Sequence, residues 1–302
     1  MDRFDAMNVL LNVVEAGSLS AAGRRLGMPL ATVSRKLAEL ESHLNARLLN
    51  RSTRKMELTD TGRGYVEACK RILEEVGQAE RAAAGEYSTP RGDLVITAPM
   101  AFGRLHVLPL VTEFLHAFPA VDVRLVLGDR VSHLLDEHLD LAVRIGPLQD
   151  SNFKAQAVGT LRHVVCASPA YLADHGTPKA PGDVATHACI TFGALVAPDR
   201  WVFHEGKGKA EVAVPVHSRL VVNTAEAAAD AAASGLGLTR LLSYQADAAR
   251  RAGDLALVLE AFEPPPLPVS LVFHAHQRIP LKLRAFLDFA APRLRERLLR
   301  IA

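Results

Sequence analysis

The stretch AAGRRLGMPLATVSRKLAELESHLNARLLNRSTRKMELTDTG, residues 21–62, decides how the chain reads. Ala22 and Leu26 lie one turn apart on a short helix that Ser18 can cap, and Gly27 permits a tight turn after it. Val33, Leu37, Leu40 and Leu44 then recur at three- and four-residue steps, the buried stripe of a further helix. On the rest of that helix sit Thr32, Ser34, Arg35, Lys36 and Glu39. A helix, a short glycine-containing turn and a helix with polar donors near its start form a helix-turn-helix layout, whose second helix lies in the major groove. Hydroxyls and backbone amides suit phosphates, and arginine pairs with guanine O6 and N7. Upstream, Phe4, Met7, Leu11 and Val14 mark one apolar face of a first helix that Gly17 can end. Downstream, residues 47–60 read as a β-hairpin with RSTRK at its tip. Such a wing reaches the DNA backbone or minor groove through Arg51, Arg54 and Lys55. An ordinary three-helix bundle has the same periodicity, so charge has to be weighed as well.

Across 302 residues, 35 Lys and Arg face 33 Asp and Glu, a formal charge of +2. That length predicts two domains, or three. A hydrophobic share of 49% with 23% charged residues is ordinary for a soluble chain that buries a sizeable core. The near-neutral total excludes a polybasic nucleic-acid coat and an acidic tail, but not a local basic footprint. Residues 1–92 hold 14 basic and 12 acidic side chains, and residues 93–302 hold 21 of each. From Arg24 to Lys55, eight basic residues face only Glu39 and Glu41, a local charge of +6. A basic stripe on short helices is the electrostatic footprint of DNA binding; a solvated charged face is the alternative. No apolar run approaches the ~20 residues needed to cross a bilayer. Asp2, Asp5 and Glu15 stand where a signal peptide needs a basic start and an unbroken apolar stretch. Cys69, Cys166 and Cys189 form no CxxC and read as reduced thiols of a cytoplasmic protein.

Thr59 can cap a long helix running to about Gly85. Along it Val66, Cys69, Leu73, Val76, Glu80 and Ala83 recur in a coiled-coil-like period, with Tyr65, Ile72 and Ala79 beside them. Periodicity alone leaves open whether this face packs on its own domain or on a second copy. Cys69 on the stripe reads as core and not as a redox switch. EYSTPRGD, residues 86–93, is a turn-rich hinge. From Asp93 strands alternate with helices: DLVITA, a helix to about Phe118, VDVRLVLG, the helix DRVSHLLDEH, then LDLAVRIG. LRHVVCAS and PAYLADHG open a second set, and a helix over residues 224–234 precedes GLGLTRLL. PLPVSLVFHA resumes strand character before a closing amphipathic helix, LKLRAFLDFAAPRLRERLL. This alternation predicts an α/β fold with a mainly parallel sheet.

The AAxxL of the second helix, the VSRxLxxLExxL of the third, RLLNRSTR and LTDTG resemble the winged helix-turn-helix of LysR-type transcriptional regulators over the whole of residues 1–60. The match departs at Pro29 and Leu30, where the family usually has a Ser cap followed by Gln. Proline is acceptable in a first helical turn, but losing the Gln amide removes one polar base reader. Thr32, Ser34 and Arg35 must carry more of the contact. The expected DNA-binding residues are Ser18, Ala31, Thr32, Ser34, Arg35, Lys36, Arg51, Thr53, Arg54 and Lys55. ITAPMAFGRLHVLP, LDLAVRIGPL, VVCASPAYLADHG and SGLGLTRL likewise resemble the family's effector domain.

The resemblance implies a multidomain chain: a winged helix-turn-helix rich in α structure, a long linker helix, and an α/β two-lobed domain like a type 2 periplasmic binding protein. The expected boundaries are 1–58, 59–92 and 93–302, with lobe I at 93–160 and 268–302 and lobe II at 161–267. It implies a dimer, joined to a tetramer by the regulatory domains, with Tyr65, Val66, Cys69, Ile72, Leu73 and Val76 as the dimerisation stripe. Operator DNA and a small effector are the expected partners, and RNA polymerase a further one; no membrane is involved. The effector cleft is expected at the carboxyl ends of the strands. Pro99, Met100 and Phe102 follow the first strand, Asp129 and Arg130 the second, and Arg144 and Gly146 the third; Thr191, Phe192, Asn223 and Thr239 come from the other lobe. Their donors suit a small anion, often a carboxylate, and Met100, Phe102 and Phe192 suit an apolar or aromatic body. Lobe core is the alternative for each apolar residue, and a salt bridge for Arg144.

No catalytic or cofactor signature is found. G-x-S-x-G, H-E-x-x-H and P-loop patterns are absent from the sequence. GLGLTRLL lacks the third glycine of a dinucleotide fingerprint, and Lys207 and Lys209 of GKGK read as an exposed hairpin tip. His133 and His138 have wrong spacing for a metal pair, and His274 and His276 lack a third ligand. No metal is expected. The competing reading is a cytoplasmic small-molecule binding protein or enzyme with an N-terminal dimerisation module. The basic stripe with RSTRK argues against it, since dimerisation needs neither.

Overall fold

Capping residues set the N-terminal elements. Asp2 accepts the Phe4 and Asp5 amides and starts α1 (Arg3–Ala16), which Gly17 ends in the left-handed conformation. Ser18 Oγ accepts the Ala21 amide and starts α2 (Leu19–Leu26), closed by Gly27 in the same way. α3 (Leu30–Leu44) begins after Pro29 without a side-chain cap. β1 (Leu49–Arg51) and β2 (Met56–Leu58) pair antiparallel, with Leu49 opposite Leu58. Thr59 Oγ1 then accepts the Gly62 amide and starts α4 (Asp60–Ala83). The computed structural model describes residues 2–51, 56–83, 89–129, 139–148, 153–193, 200–204, 211–274 and 279–301. The chain divides into two compact units, 1–89 and 90–302.

The first unit closes around Leu10, Leu37, Leu40 and Leu48, all fully buried. The stripe of α1 differs from the expected one. Ala6, Met7, Val9, Leu10 and Val13 are buried, Leu11 and Val14 only border the core, and Phe4 is 50% exposed. α1 touches α2, α3 and α4, so it buries a wide face.

The second unit contains two five-stranded sheets. Its elements run β3 (Gly92–Ala98), α5 (Met100–Phe102), a π-helical turn (Gly103–Val107), α6 (Leu108–Ala117), β4 (Val121–Leu127), β5 (Leu141–Ile145) and β6 (Phe153–Leu161). Then follow β7 (His163–Ala167), α7 (Pro169–His175), β8 (Ala188–Phe192), β9 (Arg200–His204), β10 (Glu211–Pro215), β11 (His217–Val222) and α8 (Ala225–Ala233). The chain ends with β12 (Leu238–Leu242), α9 (Ser243–Ala252), β13 (Ala256–Val258), β14 (Leu267–His274) and α10 (Leu281–Leu299). The first sheet has the order β4-β3-β5-β14-β6 and the second β11-β8-β12-β7-β13. Each is mixed where a mainly parallel sheet was expected. β3 is parallel to β4 and β5 but β14 is antiparallel to β5 and β6. In the second sheet β8 is parallel to β11 and β12, and β7 is antiparallel to β12 and β13. The reason is connectivity: the chain crosses between sheets at residue 162 and again before residue 267, so β7 and β14 enter their sheets against the local direction. The helix expected over 129–138, with His133 and His138, falls almost wholly outside the described residues, as do Lys207, Lys209 and His276. β9 and β10, which flank the GKGK segment, do pair antiparallel, and they bury Trp201 and Phe203.

Candidate DNA-binding face and effector cleft

α2 and α3 meet at Gly23, where an added Cβ would stand 2.8 Å from the Met28 carbonyl oxygen. This approach fixes the turn, and the Met28 amide donates to the Gly23 carbonyl at 2.8 Å. On the outer side of α3, Ala31 and Arg35 are exposed and Thr32 and Ser34 half-buried. Arg35 pairs with Glu39 at 2.7 Å with both side chains largely in solvent, an interaction worth about 0.3–0.5 kcal/mol and easily exchanged. Lys36, expected on the DNA face, instead pairs with Asp5 of α1 in a less exposed setting and ties the two helices together. Ser18 spends its hydroxyl on the helix cap. Arg24 and Arg47 have no ion-pair partner among the described residues. Arg51 places its backbone in β1 opposite Met56, and Thr53, Arg54 and Lys55 lie outside the described residues. The base of the wing is held by Glu41, whose Oε1 accepts the Leu48 and Leu49 amides at 2.8 and 3.1 Å.

In the second unit, the strand ends gather two rims. Ala98 lies opposite Leu127, and just beyond them Asp129 Oδ1 accepts the Met100 amide at 3.0 Å. Phe192 lies opposite Val222, the Gly193 amide donates to the Val222 carbonyl, and Asn223 is exposed beside them. Thr224 caps α8 through the Ala227 amide. Arg104 on the first lobe and Glu226 in the first turn of α8 approach to 3.7 Å, joining the rims. Pro99, Met100, Asp129, Phe192 and Asn223 therefore remain reachable. Three expected effector residues do not: Phe102 is fully buried, Thr191 is buried and bonded to Ser218 at 2.9 Å, and Thr239 is buried and bonded to the Ile190 carbonyl at 3.1 Å. They are satisfied core groups. Gly146 is buried with its amide on the Pro268 carbonyl, and Arg144 is half-buried on β5 and already engaged. Arg130 lies outside the described residues. An incoming carboxylate would have to displace Asp129 to reach the helix mouth at Met100, which differs from the open anion site expected there.

Residues 4–63 match the family described as bacterial regulatory helix-turn-helix protein, lysR family, and residues 88–295 match LysR substrate binding domain. The chain belongs to the LysR family of transcriptional regulators. Among curated relatives, the probable regulator LtrA of Klebsiella pneumoniae is 34% identical over 93% of this chain and 91% of its own length. The structure of CrgA from Neisseria meningitidis is 30% identical with a TM-score of 0.61, covering 96% of this chain and 98% of that one. The full-length virulence activator AphB of Vibrio cholerae has a TM-score of 0.60 at 26% identity, over 95% and 97% of the two chains. This regulator thus combines a helix-turn-helix with an effector-binding domain.

On the linker helix of this LysR-family chain, Val66 and Cys69 are buried in the core of their own unit, with Tyr65 and Leu73 bordering it. The first half of the stripe is thus covered by its own domain; Ile72 is exposed and Val76 half-buried. All three thiols are free and buried, and burial pushes Cys166 up to about 12 and Cys189 up to about 11. Neither is a thiolate at neutral pH. At the lobe junction the Tyr244 ring of α9 packs edge-on against Phe102 at 5.4 Å and His106 at 5.6 Å. Burial pushes His106 down to about 4, assisted by Arg297 and opposed by Asp247. Tyr244 is raised by burial, with smaller contributions from Asp129 and Glu226. Arg104, Glu226 and Tyr244 were not singled out in the sequence, and Glu41 stood there only as the glutamate of VSRxLxxLExxL. Of the first three, Glu226 carried a signal, as an acidic residue just after the Thr224 cap.

Proposed function

We propose that the effector is a small organic or aromatic acid held between the two rims, with its apolar body on Met100 and Phe192 and a polar contact to Asn223. The observation that carries this reading is the Arg104–Glu226 pair, the one ion pair between the rims among the described residues. Its side chains are 58% and 39% exposed, so an acid can take Glu226's place on the guanidinium. Exchange of the partner on Arg104 loosens a lobe-to-lobe contact, and the ligand favours one lobe arrangement as far as it binds that arrangement better. The chain acts as a cytoplasmic regulator and not as an enzyme, in the three segments 1–58, 59–92 and 93–302. The later part of α4, from Ile72 and Val76 onward, supplies the dimer contact; the regulatory domains join dimers into a tetramer that engages RNA polymerase at the promoter. Ser34, Arg35 and Ala31 face the operator, with Arg51, Thr53, Arg54 and Lys55 of the wing on the backbone.

The test is a panel of organic acids titrated into the full-length protein, followed by thermal shift and operator mobility. Arg104→Ala is expected to lose the acid response at least tenfold while binding the operator normally without acid. An unchanged acid response in that variant would remove Arg104 from the site. A response only to amines would overturn the ligand class.

A further inference from the structure

Helical spacing sorts α3 into an inner and an outer side. Val33, Leu37 and Leu40 are buried, while Leu30, Ser34 and Ala38 follow one another at single turns on the outer side, with Ala31 and Arg35 beside them. Leu30 is 50% exposed, and Ala31 and Ala38 are exposed too. Leu30 belongs neither to the core of its unit nor to the apolar residues packed around that core. With the half-buried Thr32 counted, three of the six outward positions are apolar, and Leu30 is the one large apolar side chain among them. The polar remainder is thin: Arg35 is engaged with Glu39, and Lys36 is turned toward Asp5. Pro29, immediately before the helix, brings no side-chain oxygen. An exposed leucine in this first turn contributes nothing to folding that a polar residue would not.

We infer that Leu30, with Ala31 beside it, reads the C5-methyl group of a thymine in the major groove. The first residues of the second helix are the ones that reach base edges in this motif. Of the four base pairs, only those containing thymine present a methyl group there, and an aliphatic side chain has no hydrogen bond to offer the other edges. Contact between Leu30 and the methyl group removes both from water, and a guanine or cytosine at that position leaves its donors and acceptors facing an apolar wall. The regulator thus identifies one base pair per half-site by apolar contact where a side-chain amide would read it by hydrogen bonds. Arg35, released from its exposed pair with Glu39, serves the neighbouring base or phosphate.

The inference rests on operator binding through α3, and the test separates the two. The full-length protein first selects a duplex from a randomised pool, and its binding to that duplex at fixed salt establishes operator recognition irrespective of Leu30. Each thymine of the selected site is then replaced singly by deoxyuridine, which removes only the methyl group. One thymine per half-site is expected to lose about fourfold in affinity on this change, the value of burying one methylene-sized group. At that position 5-methylcytosine is expected to bind better than cytosine by a similar factor. Leu30→Ala is expected to bind the thymine and deoxyuridine sites equally, both near the affinity of the wild-type protein for deoxyuridine. Leu30→Met, which keeps an apolar side chain, retains the discrimination. Indifference of the wild-type protein to deoxyuridine at every thymine overturns the inference, as does an undiminished deoxyuridine penalty in Leu30→Ala.

Discussion

Two glycines of the linker helix, two residues apart, should respond oppositely to the same substitution. At Gly62 an added Cβ would stand 2.0 Å from the Leu48 carbonyl oxygen, 2.9 Å from its carbon and 3.1 Å from Leu48 Cα. All three are backbone atoms, so no side chain can swing aside. Normal contact requires the start of α4 to retreat by roughly 1 Å or more. That carbonyl also accepts the Thr59 amide at 3.0 Å and the Thr59 hydroxyl at 3.3 Å, so retreat strains both bonds. Alanine gains at most ~1 kcal/mol over glycine in helix propensity. Against this stand about 1–3 kcal/mol for overpacking and about 1 kcal/mol for each weakened hydrogen bond. Sterics win, and Gly62→Ala is expected to destabilise the first unit by about 1–4 kcal/mol. At Gly64 nothing lies within 4 Å of the added atom, so Gly64→Ala keeps the propensity gain and stabilises by about 0.5–1 kcal/mol. Hydrogen–deuterium exchange of α1 and α3 amides in the full-length protein reads this unit separately from the other. Protection should fall at least about fivefold in Gly62→Ala and rise a few-fold in Gly64→Ala. Equal or greater protection in Gly62→Ala would refute the close approach of α4 to Leu48.

Glu41→Ala should leave the Leu48 and Leu49 amides without their acceptor, at about 1–3 kcal/mol in all. Faster exchange at 48–51 together with at least a tenfold loss of operator affinity is expected; loss of neither contradicts the anchoring role. His106 gives a pH prediction with a definite sign. Its folded pKa of about 4 lies below the ordinary 6.5, so the unfolded chain takes up a proton first. Stability is full above pH 6.5 and declines as the pH falls from 6.5 toward 4. After discount for partial exposure the loss is about 1–2 kcal/mol. Unfolding followed by the fluorescence of the single Trp201 should weaken over that range, and less so in His106→Leu. Identical pH profiles for the two proteins would exclude His106 as a source.

The elements most legible in the sequence were those fixed by local chemistry. Ser18, Gly27 and Thr59 perform the capping and turning that their residue types predict, because one hydroxyl or one absent Cβ acts within three residues of itself. Contacts between distant segments were not legible. Nothing local marks Gly23 or Gly62 as a point of close approach, since the obstacle at Gly62 is a carbonyl fourteen positions earlier. The phase of α1 differs from the expected one because Ala6 is neutral by composition yet buried, while Phe4 is apolar and stays outside. β6, with Lys154, Gln156 and Thr160 among its residues, has too weak an alternation to stand out, and α9 is short and rich in Arg and Asp. In the cleft, Met100, Asp129, Phe192 and Asn223 follow strand ends and lie at the rims. Position after a strand end could not distinguish side chains aimed at the rim from Phe102, Thr191 and Thr239, which turn into the core.

The same distinction between buried and exposed contacts limits how an effector can act. Two kinds of contact join the lobes. The Phe102–Tyr244–His106 packing is buried, and Tyr244 sits within the hydrophobic core of the first lobe. Such aromatic pairs contribute about 0.5–1.5 kcal/mol each beyond the apolar area they bury, so this packing resists separation more than an exposed ion pair does. The Arg104–Glu226 pair is exposed and contributes about 1 kcal/mol or less, so a ligand can replace it at small cost. Replacement by itself is too weak a signal, because moving a two-state population from mostly one form to mostly the other needs about 5.5 kcal/mol of differential binding. The balance must come from apolar contact made in only one arrangement. Met100, 46% exposed on one rim, and Phe192, half-buried on the other, are the surfaces placed to supply it. An acid with a small hydrophilic body would then occupy Arg104 without switching the lobes, whereas one carrying a ring or a branched chain would do both. Comparing acids of equal charge and increasing apolar size therefore separates occupancy from response: thermal stabilisation should appear across the series, and a change in operator complex mobility only at its larger members.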